Sequence, residues 1–273
     1  MTTSAEVHYE RLLAAHYTWM TGGDLHAAAE EQTALLRELG VSPGPGPAPA
    51  RAVDLGCGPG AQTLALAALG FFHITAVDTN QTLLDELALA AAGTCAPDAP
   101  DTPDTPDTLG SAAPAIRPVR ADLRGALPRF TSPGGVSAIV CMGDTLTHLP
   151  AKDDVPALLA DAARALAPGG RLVVTYRDLT RPLEGTARFL PVRNDAERIL
   201  TCFLEYRDAD TVEVHDLLHV RTPEGWTLHT GSYPKLRIGT DWLADRCRDA
   251  GLEVVHAAPG PRGLHVLVAV APA

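Results

Sequence analysis

The stretch VDLGCGPGA at residues 53–61 constrains the fold more than any other part of the chain. An apolar run ends at Leu55 and a helical pattern starts at residue 60, so three glycines, Gly56, Gly58 and Gly60, fall at a strand-to-helix turn. Glycine there permits positive φ and lets backbone approach a ligand closely. The helix N-terminus beyond it offers N–H groups without intrahelical partners. Gly56, Gly58 and Ala61 satisfy G-x-G-x-x-G/A, the loop of dinucleotide-binding folds. Asp54, Gly56, Gly58 and Gly60 equally satisfy D-x-G-x-G-x-G. The loop alone does not choose between them.

The rest of the chain supplies the context. Residues 4–40 read as two helices broken at Gly22, Gly23 and Asp24, and SPGPGPAPA at 42–50 reads as a linker. A β/α alternation then begins. Strands are predicted at 51–55, 73–77, 116–121, 136–142 and 171–177, with helices at 60–69, 80–92 and 153–166. Pro118 weakens the third strand. The Pro-Asp-Thr repeat within 93–115 reads as a disordered surface loop. Three β-rich runs at 198–206, 212–221 and 226–237 follow as an antiparallel meander. A helix at 240–250 leads to two strands, 253–257 and 264–270, joined by a short link and therefore antiparallel. The core is a mostly parallel α/β sheet closed by an antiparallel hairpin strand.

Composition narrows the function. The five cysteines, at 57, 95, 141, 202 and 247, form no C-x-x-C pair, so reduced thiols are expected and neither a disulfide framework nor a zinc site. A net charge of −11 with no Lys/Arg stripe argues against nucleic-acid substrates. No apolar run is long enough to span a bilayer, and the opening residues lack the pattern of a signal peptide, so a cytoplasmic location is expected.

The order of elements, with VDLGCGPG, ALAPGGRLVVTYR and VSAIVCMGDTLTHL, resembles the class I S-adenosylmethionine-dependent methyltransferases of the small-molecule type. The resemblance covers residues 51–178 and 238–273. It implies a doubly wound, Rossmann-like sheet of seven strands with the last antiparallel. Residues 1–50 would be an N-terminal helical cap with its linker, and 179–237 a β-rich insert covering the substrate. In this family the glycine loop lies against the methionine part of the cofactor, and no pyrophosphate is present. The implied cofactor-binding residues are Asp54, Gly56, Cys57, Gly58, Gly60, Asp78, Thr79, Asp122, Leu123, Met142 and Gly143. Asp78, at the end of strand two, would accept both ribose hydroxyls. Asp122 would take the adenine amino group and the Leu123 N–H a ring nitrogen. The backbone at Cys141–Gly143 would accept from the cofactor's amino group. Cys57 reads as small filler rather than a nucleophile.

Methyl transfer from a sulfonium asks the protein for position, a dry site and charge control. Tyr17, in HYTWM with His16, Trp19 and Met20, is expected either in a lid or simply packed. His148 is the first candidate for a general base. Asp144 is expected to hold a substrate amine or to organise its loop. Arg177 is expected to pair with a substrate carboxylate or with Asp178. His229, Tyr233, Lys235 and Arg237 share one strand face, which reads as a solvated edge or as a cationic face over an anionic substrate. His215 and His219 also share a face but are too far apart for a compact metal site. The expected reaction is methyl transfer from S-adenosyl-L-methionine, leaving S-adenosyl-L-homocysteine, to a nitrogen or oxygen of a small molecule in a biosynthetic pathway. The protein would act without metal or membrane, as a monomer or homodimer. The alternatives are an NAD(P)-dependent oxidoreductase and a non-catalytic cofactor-binding protein.

Overall fold

The computed structural model describes residues 5–44, 49–94 and 113–273. Most of the loop expected at 93–115, and part of the 42–50 linker, lie outside these residues. Among the described residues, eleven strands form two sheets. The first sheet uses β1 (Arg51–Leu55), β2 (His73–Asp78), β3 (Ala115–Arg120), β4 (Val136–Cys141), β5 (Leu166–Tyr176), β10 (Glu253–Pro259) and β11 (His265–Val270). Their spatial order is β10-β11-β5-β4-β1-β2-β3. Neighbours among β1 to β5 pair in parallel, and β11 runs antiparallel to both β5 and β10. The predicted mostly parallel sheet with an antiparallel final strand is therefore the one observed.

The central strands are mostly apolar because they are covered on both faces. Ala138, Ile139 and Val140 of β4 are completely buried. Helices α1 (Leu25–Glu38), α2 (Ala61–Ala68), α3 (Gln81–Thr94), α4 (Ala126–Phe130), α5 (Asp154–Ala165) and α6 (Thr240–Asp249) surround the sheet. The Asp24 carboxylate accepts the Ala27 N–H and caps α1. Pro118 is accommodated because β3 is an edge strand.

The second sheet is four-stranded and antiparallel, in the order β6-β7-β8-β9. It comprises β6 (Phe189–Asn194), β7 (Arg198–Tyr206), β8 (Thr211–Thr222) and β9 (Gly225–Leu236). The meander read from the sequence has three strands, and β6 is the addition. Its Pro191 and its exposed Phe189 and Val192 hide it from a pattern of alternating burial. Residues 5–20 are not the single regular helix expected. They pass through short α, π and 3₁₀ segments and lie between the two sheets. On one side the Thr18 hydroxyl donates to Glu86 of α3. On the other, the Trp19 indole donates to Asp195.

Candidate active site

A cavity of about 180 Å³ opens at the C-terminal ends of β1, β2, β3 and β4. That is where open α/β sheets bind their ligands. Tyr17, Gly56, Gly58, Asp78, Thr79, Asp122, Leu123, Gly143 and His148 all line it, together with Tyr9, Asn80 and Arg124. Asp54, Cys57, Gly60 and Met142 stand behind its wall. Asp54 is 1% exposed and accepts the Thr63 hydroxyl at 2.7 Å, and burial pushes its carboxyl up to about 7. Cys57 packs with Ala76, Leu84 and Leu87 as filler.

The glycine loop is shaped by what surrounds it. Gly56 has φ 72°, and a Cβ on it would stand 2.2 Å from Thr145 Cγ2. Gly60 has φ 103°, and its Cβ would meet Leu87 Cδ1 at 2.3 Å. The loop's N–H groups are donated within the protein. Those of Gly56 and Cys57 go to Val77 O at 2.8 and 3.0 Å, that of Gly58 to Asp78 Oδ2 at 2.8 Å, and that of Gly60 to Cys57 O at 3.0 Å. A pyrophosphate would find these donors occupied and the Asp78 carboxylate facing it. The dinucleotide reading thus loses its physical basis.

Asp78 also accepts the Asn80 N–H at 2.8 Å. Burial raises its pKa, while the backbone N–H bonds oppose that rise. Asp122 is half-exposed and forms an ion pair with Arg124, whose N–H it also accepts at 2.8 Å. Burial acts upward on its pKa, but the Arg124 bonds outweigh it and hold the carboxyl below its usual range.

The opposite wall begins where β4 ends. Gly143 and Asp144 both adopt left-handed backbone, with φ 69° and 77°. The Gly143 N–H is tied to Thr175 Oγ1 at 2.8 Å. Asp144 Oδ1 accepts the Arg177 N–H and the Thr147 hydroxyl, each at 2.9 Å, and Oδ2 accepts Lys235 Nζ at 2.6 Å. Of the two roles expected for Asp144, the geometry is that of a loop organiser. Burial raises its pKa, but Lys235, His148 and the Arg177 N–H together bring it below the usual range. Arg177 meets Asp144 through its backbone, while its guanidinium lies by Gly263.

His148 ends the 3₁₀ turn Thr145–His148 and is enclosed by aromatic rings. Its ring centroid lies 5.6 Å from that of Tyr9 and 5.5 Å from that of Tyr233. Tyr17 stands 6.0 Å from Tyr9 and reaches over Gly58 and Gly143. His148 Nε2 is buried without a hydrogen-bond partner. Burial, with the Lys235 charge second, pushes the imidazole down to about 3.

Of the face read as a solvated edge or a cationic face, His229 is exposed, but Tyr233, Lys235 and Arg237 are not solvated. All three side chains are largely covered. Arg237 donates to the Leu179, Thr180 and Asp208 carbonyls, and Lys235 is held by Asp144. Nor is Trp19 turned to the cavity, since it packs against the second sheet beneath Arg198. Two residues missed in the sequence fasten the N-terminal segment there. His8 Nε2 lies 2.7 Å from Asp216 Oδ2, and the Cys202 thiol donates to Asp216 Oδ1 at 2.8 Å. His8 and Asp216 are 208 positions apart, and no local pattern signals such a pair. His215 pairs with Glu205 at 3.0 Å.

A family model described as a methyltransferase domain matches residues 25–257. The chain belongs to this methyltransferase family. It is a class I methyltransferase whose methyl donor is S-adenosylmethionine. Solved structures share its fold. An S-adenosylmethionine-dependent methyltransferase from Clostridium acetobutylicum is 14% identical, with a TM-score of 0.68 and coverage of 97% of this chain and 100% of that one. CalS10, an amino pentose methyltransferase from Micromonospora echinaspora, is 18% identical, with a TM-score of 0.66 and coverage of 92% and 93%. The sugar N-methyltransferase KedS8 from Streptoalloteichus is 15% identical, with a TM-score of 0.61 and coverage of 100% and 94%. No curated protein matches the chain. The methyltransferase's cavity fits a donor that has ribose hydroxyls and no phosphate: its glycine loop keeps its N–H groups for the protein, and Asp78 lines the wall as an acceptor.

Proposed function

We propose that this methyltransferase methylates a nitrogen or oxygen of a small polar molecule in a biosynthetic pathway, with a free amine as the favoured acceptor. The observation that carries this reading is the buried Nε2 of His148, without a partner, at the cavity wall among tyrosine rings. A buried polar atom left unpaired costs free energy that a ligand's polar group would recover. Two fold neighbours are named for methylation of an amino pentose and of a sugar nitrogen, which agrees with an amine.

S-adenosylmethionine, when bound, would supply an electrophilic methyl group on a sulfonium and would depart as S-adenosylhomocysteine. The chain's own residues hold and aim the reactants. Asp78 accepts the ribose hydroxyls, Asp122 takes the adenine amino group, and the Leu123 N–H meets a ring nitrogen. Tyr17 and Tyr9 close the N-terminal segment over the cavity and exclude water. His148, with its pKa near 3, does not draw a proton from an ammonium at neutral pH. It accepts a hydrogen bond from an amine that arrives as the free base and so orients the nitrogen lone pair. The proton then stays on the product ammonium, facing tyrosine rings that favour a cation. Part of the four-stranded sheet covers this acceptor side.

The test is incubation with S-adenosylmethionine and a panel of amino sugars with their matched hydroxy analogues, read by mass spectrometry. Gain of one methyl group by the amines and not by the alcohols is expected. Turnover confined to alcohols would sink the amine assignment.

A further inference from the structure

We propose that Lys235 is a positioning residue for methyl transfer: reaching in from β9, its ammonium clamps Asp144, fixes the turn that carries His148, and keeps that imidazole in its hydrogen-bond-accepting form. The inference rests on the acceptor role given to His148 above.

Lys235 Nζ lies 2.6 Å from Asp144 Oδ2, and the two side chains are only 11% and 7% exposed. Asp144 and Arg262 are the two non-glycine residues with positive φ among those described. Backbone of that kind persists where surroundings over-determine it. Here the over-determination is a set of three donors on one carboxylate: Lys235 Nζ, the Arg177 N–H and the Thr147 hydroxyl. Four residues on, the same turn presents His148. At its other end Thr145 fills the space that a Cβ on Gly56 would need. One lysine from the second sheet thereby fixes a turn that touches both the acceptor group and the glycine loop.

The charges around His148 oppose one another: Lys235 and His8 disfavour a protonated imidazole, and Asp144 favours it. Tyr9 and His8 face it from the N-terminal segment, Tyr233 and Lys235 from β9, and Asp144 from its own turn. Asp122 and Arg124 line the same cavity. A second positive charge beside the Lys235 ammonium is disfavoured, whereas the Asp144 carboxylate alone would favour it. Lys235 acts on both counts, by direct repulsion and by compensating Asp144. Removing it would abolish the repulsion and bare the carboxylate.

The experiment follows His148 directly, by long-range proton–nitrogen NMR of the full chain with S-adenosylhomocysteine, assigned with His148→Gln. In the wild-type protein the imidazole should remain neutral at about pH 5. In Lys235→Met its protonation midpoint should rise about tenfold or more in the proton-binding constant. Lys235→Arg should stay close to the wild type. If Lys235→Met does not fold, Asp144→Asn with and without Lys235→Met gives the same comparison without a bared carboxylate. A midpoint that Lys235→Met leaves unmoved in either background, or that Lys235→Arg raises as far as Met does, would overturn the clamp. Turnover by His148→Phe at the wild-type rate would instead overturn the acceptor role and leave this titration untouched.

Discussion

The seven-stranded sheet meets the cavity with the ends of its strands, whereas the four-stranded sheet stands behind it, backing the Tyr9 and His148 rings that line it. The first side is mostly backbone: the Gly56–Gly60 loop, its N–H bonds to Val77 and Asp78, and the glycine turn after β4. The second side is mostly side chains: Tyr9, Tyr17 and His148 line it, backed by Tyr233 and Lys235 of β9 and by His8. A wall of backbone tolerates few substitutions anywhere in the family's chemistry, because every residue type must adopt its φ and fit its space. A wall of side chains can be redrawn one residue at a time. Under the proposed function the first wall would hold the methyl donor and the second would face the acceptor.

Five substitutions would break or sharpen that contrast. The largest effect is expected at the donor wall. Asp78→Ala should weaken S-adenosylhomocysteine binding about 100-fold or more, since charge-assisted hydrogen bonds contribute about 1.5–3 kcal/mol each. Isothermal titration reads this directly, and unchanged affinity would refute the ribose assignment. On the acceptor wall, Lys235→Met leaves the Asp144 carboxylate buried and unpaired, which costs about 3–5 kcal/mol in urea unfolding. The S-adenosylhomocysteine affinity of the folded fraction should change far less. If both quantities collapse together, the two walls are not separable.

The walls should also answer pH with opposite signs. His148 is held near 3 against an ordinary 6.5, so the unfolded chain binds its proton more readily between those values. Its contribution to stability is present above about pH 6.5 and is lost as pH falls toward 3. Asp54 is raised to about 7 from 3.8, so the folded chain binds that proton more readily. Its contribution is present at low pH and is lost as pH rises toward 7. Unfolding curves across this range should show His148→Gln removing the acid-side loss and Asp54→Asn removing the opposite slope. The smallest effect belongs to the outer face of the four-stranded sheet. Trp226 is 48% exposed there, and Trp226→Ala should shift stability by no more than about 0.5 kcal/mol.

The donor wall was legible in the sequence because it is local. Asp54 to Ala61 is one turn, Asp78 ends the next strand, and the alternation of strands and helices places both on one edge. The acceptor wall was legible only in part. Period two put Tyr233, Lys235 and Arg237 on one face correctly, but a periodicity says nothing of what covers that face. The covering is residues 5–20 and the turn at Asp144, both remote in sequence. Lys235 and Asp144 are separated by 91 positions and His8 and Asp216 by 208, so each charge looks solvated until its partner is in place. The break in the N-terminal helix has the same origin, since its rings follow the two sheets rather than one helical stripe.

The His8–Asp216 contact also sets an order of events. A chain emerging from the ribosome presents residues 5–20 well before the carboxylate that receives His8, which follows 208 residues later. Closing so long a loop has little to reward it until β8 exists. The glycine loop and β1 to β5 can therefore assemble while the first segment is still idle. That segment then returns to seal the chamber in a late docking step. Slow, late closure would leave a nearly complete sheet with an open cavity as the last species before the native one. Pulse-labelled hydrogen exchange should find residues 5–20 gaining protection after β1 and β4.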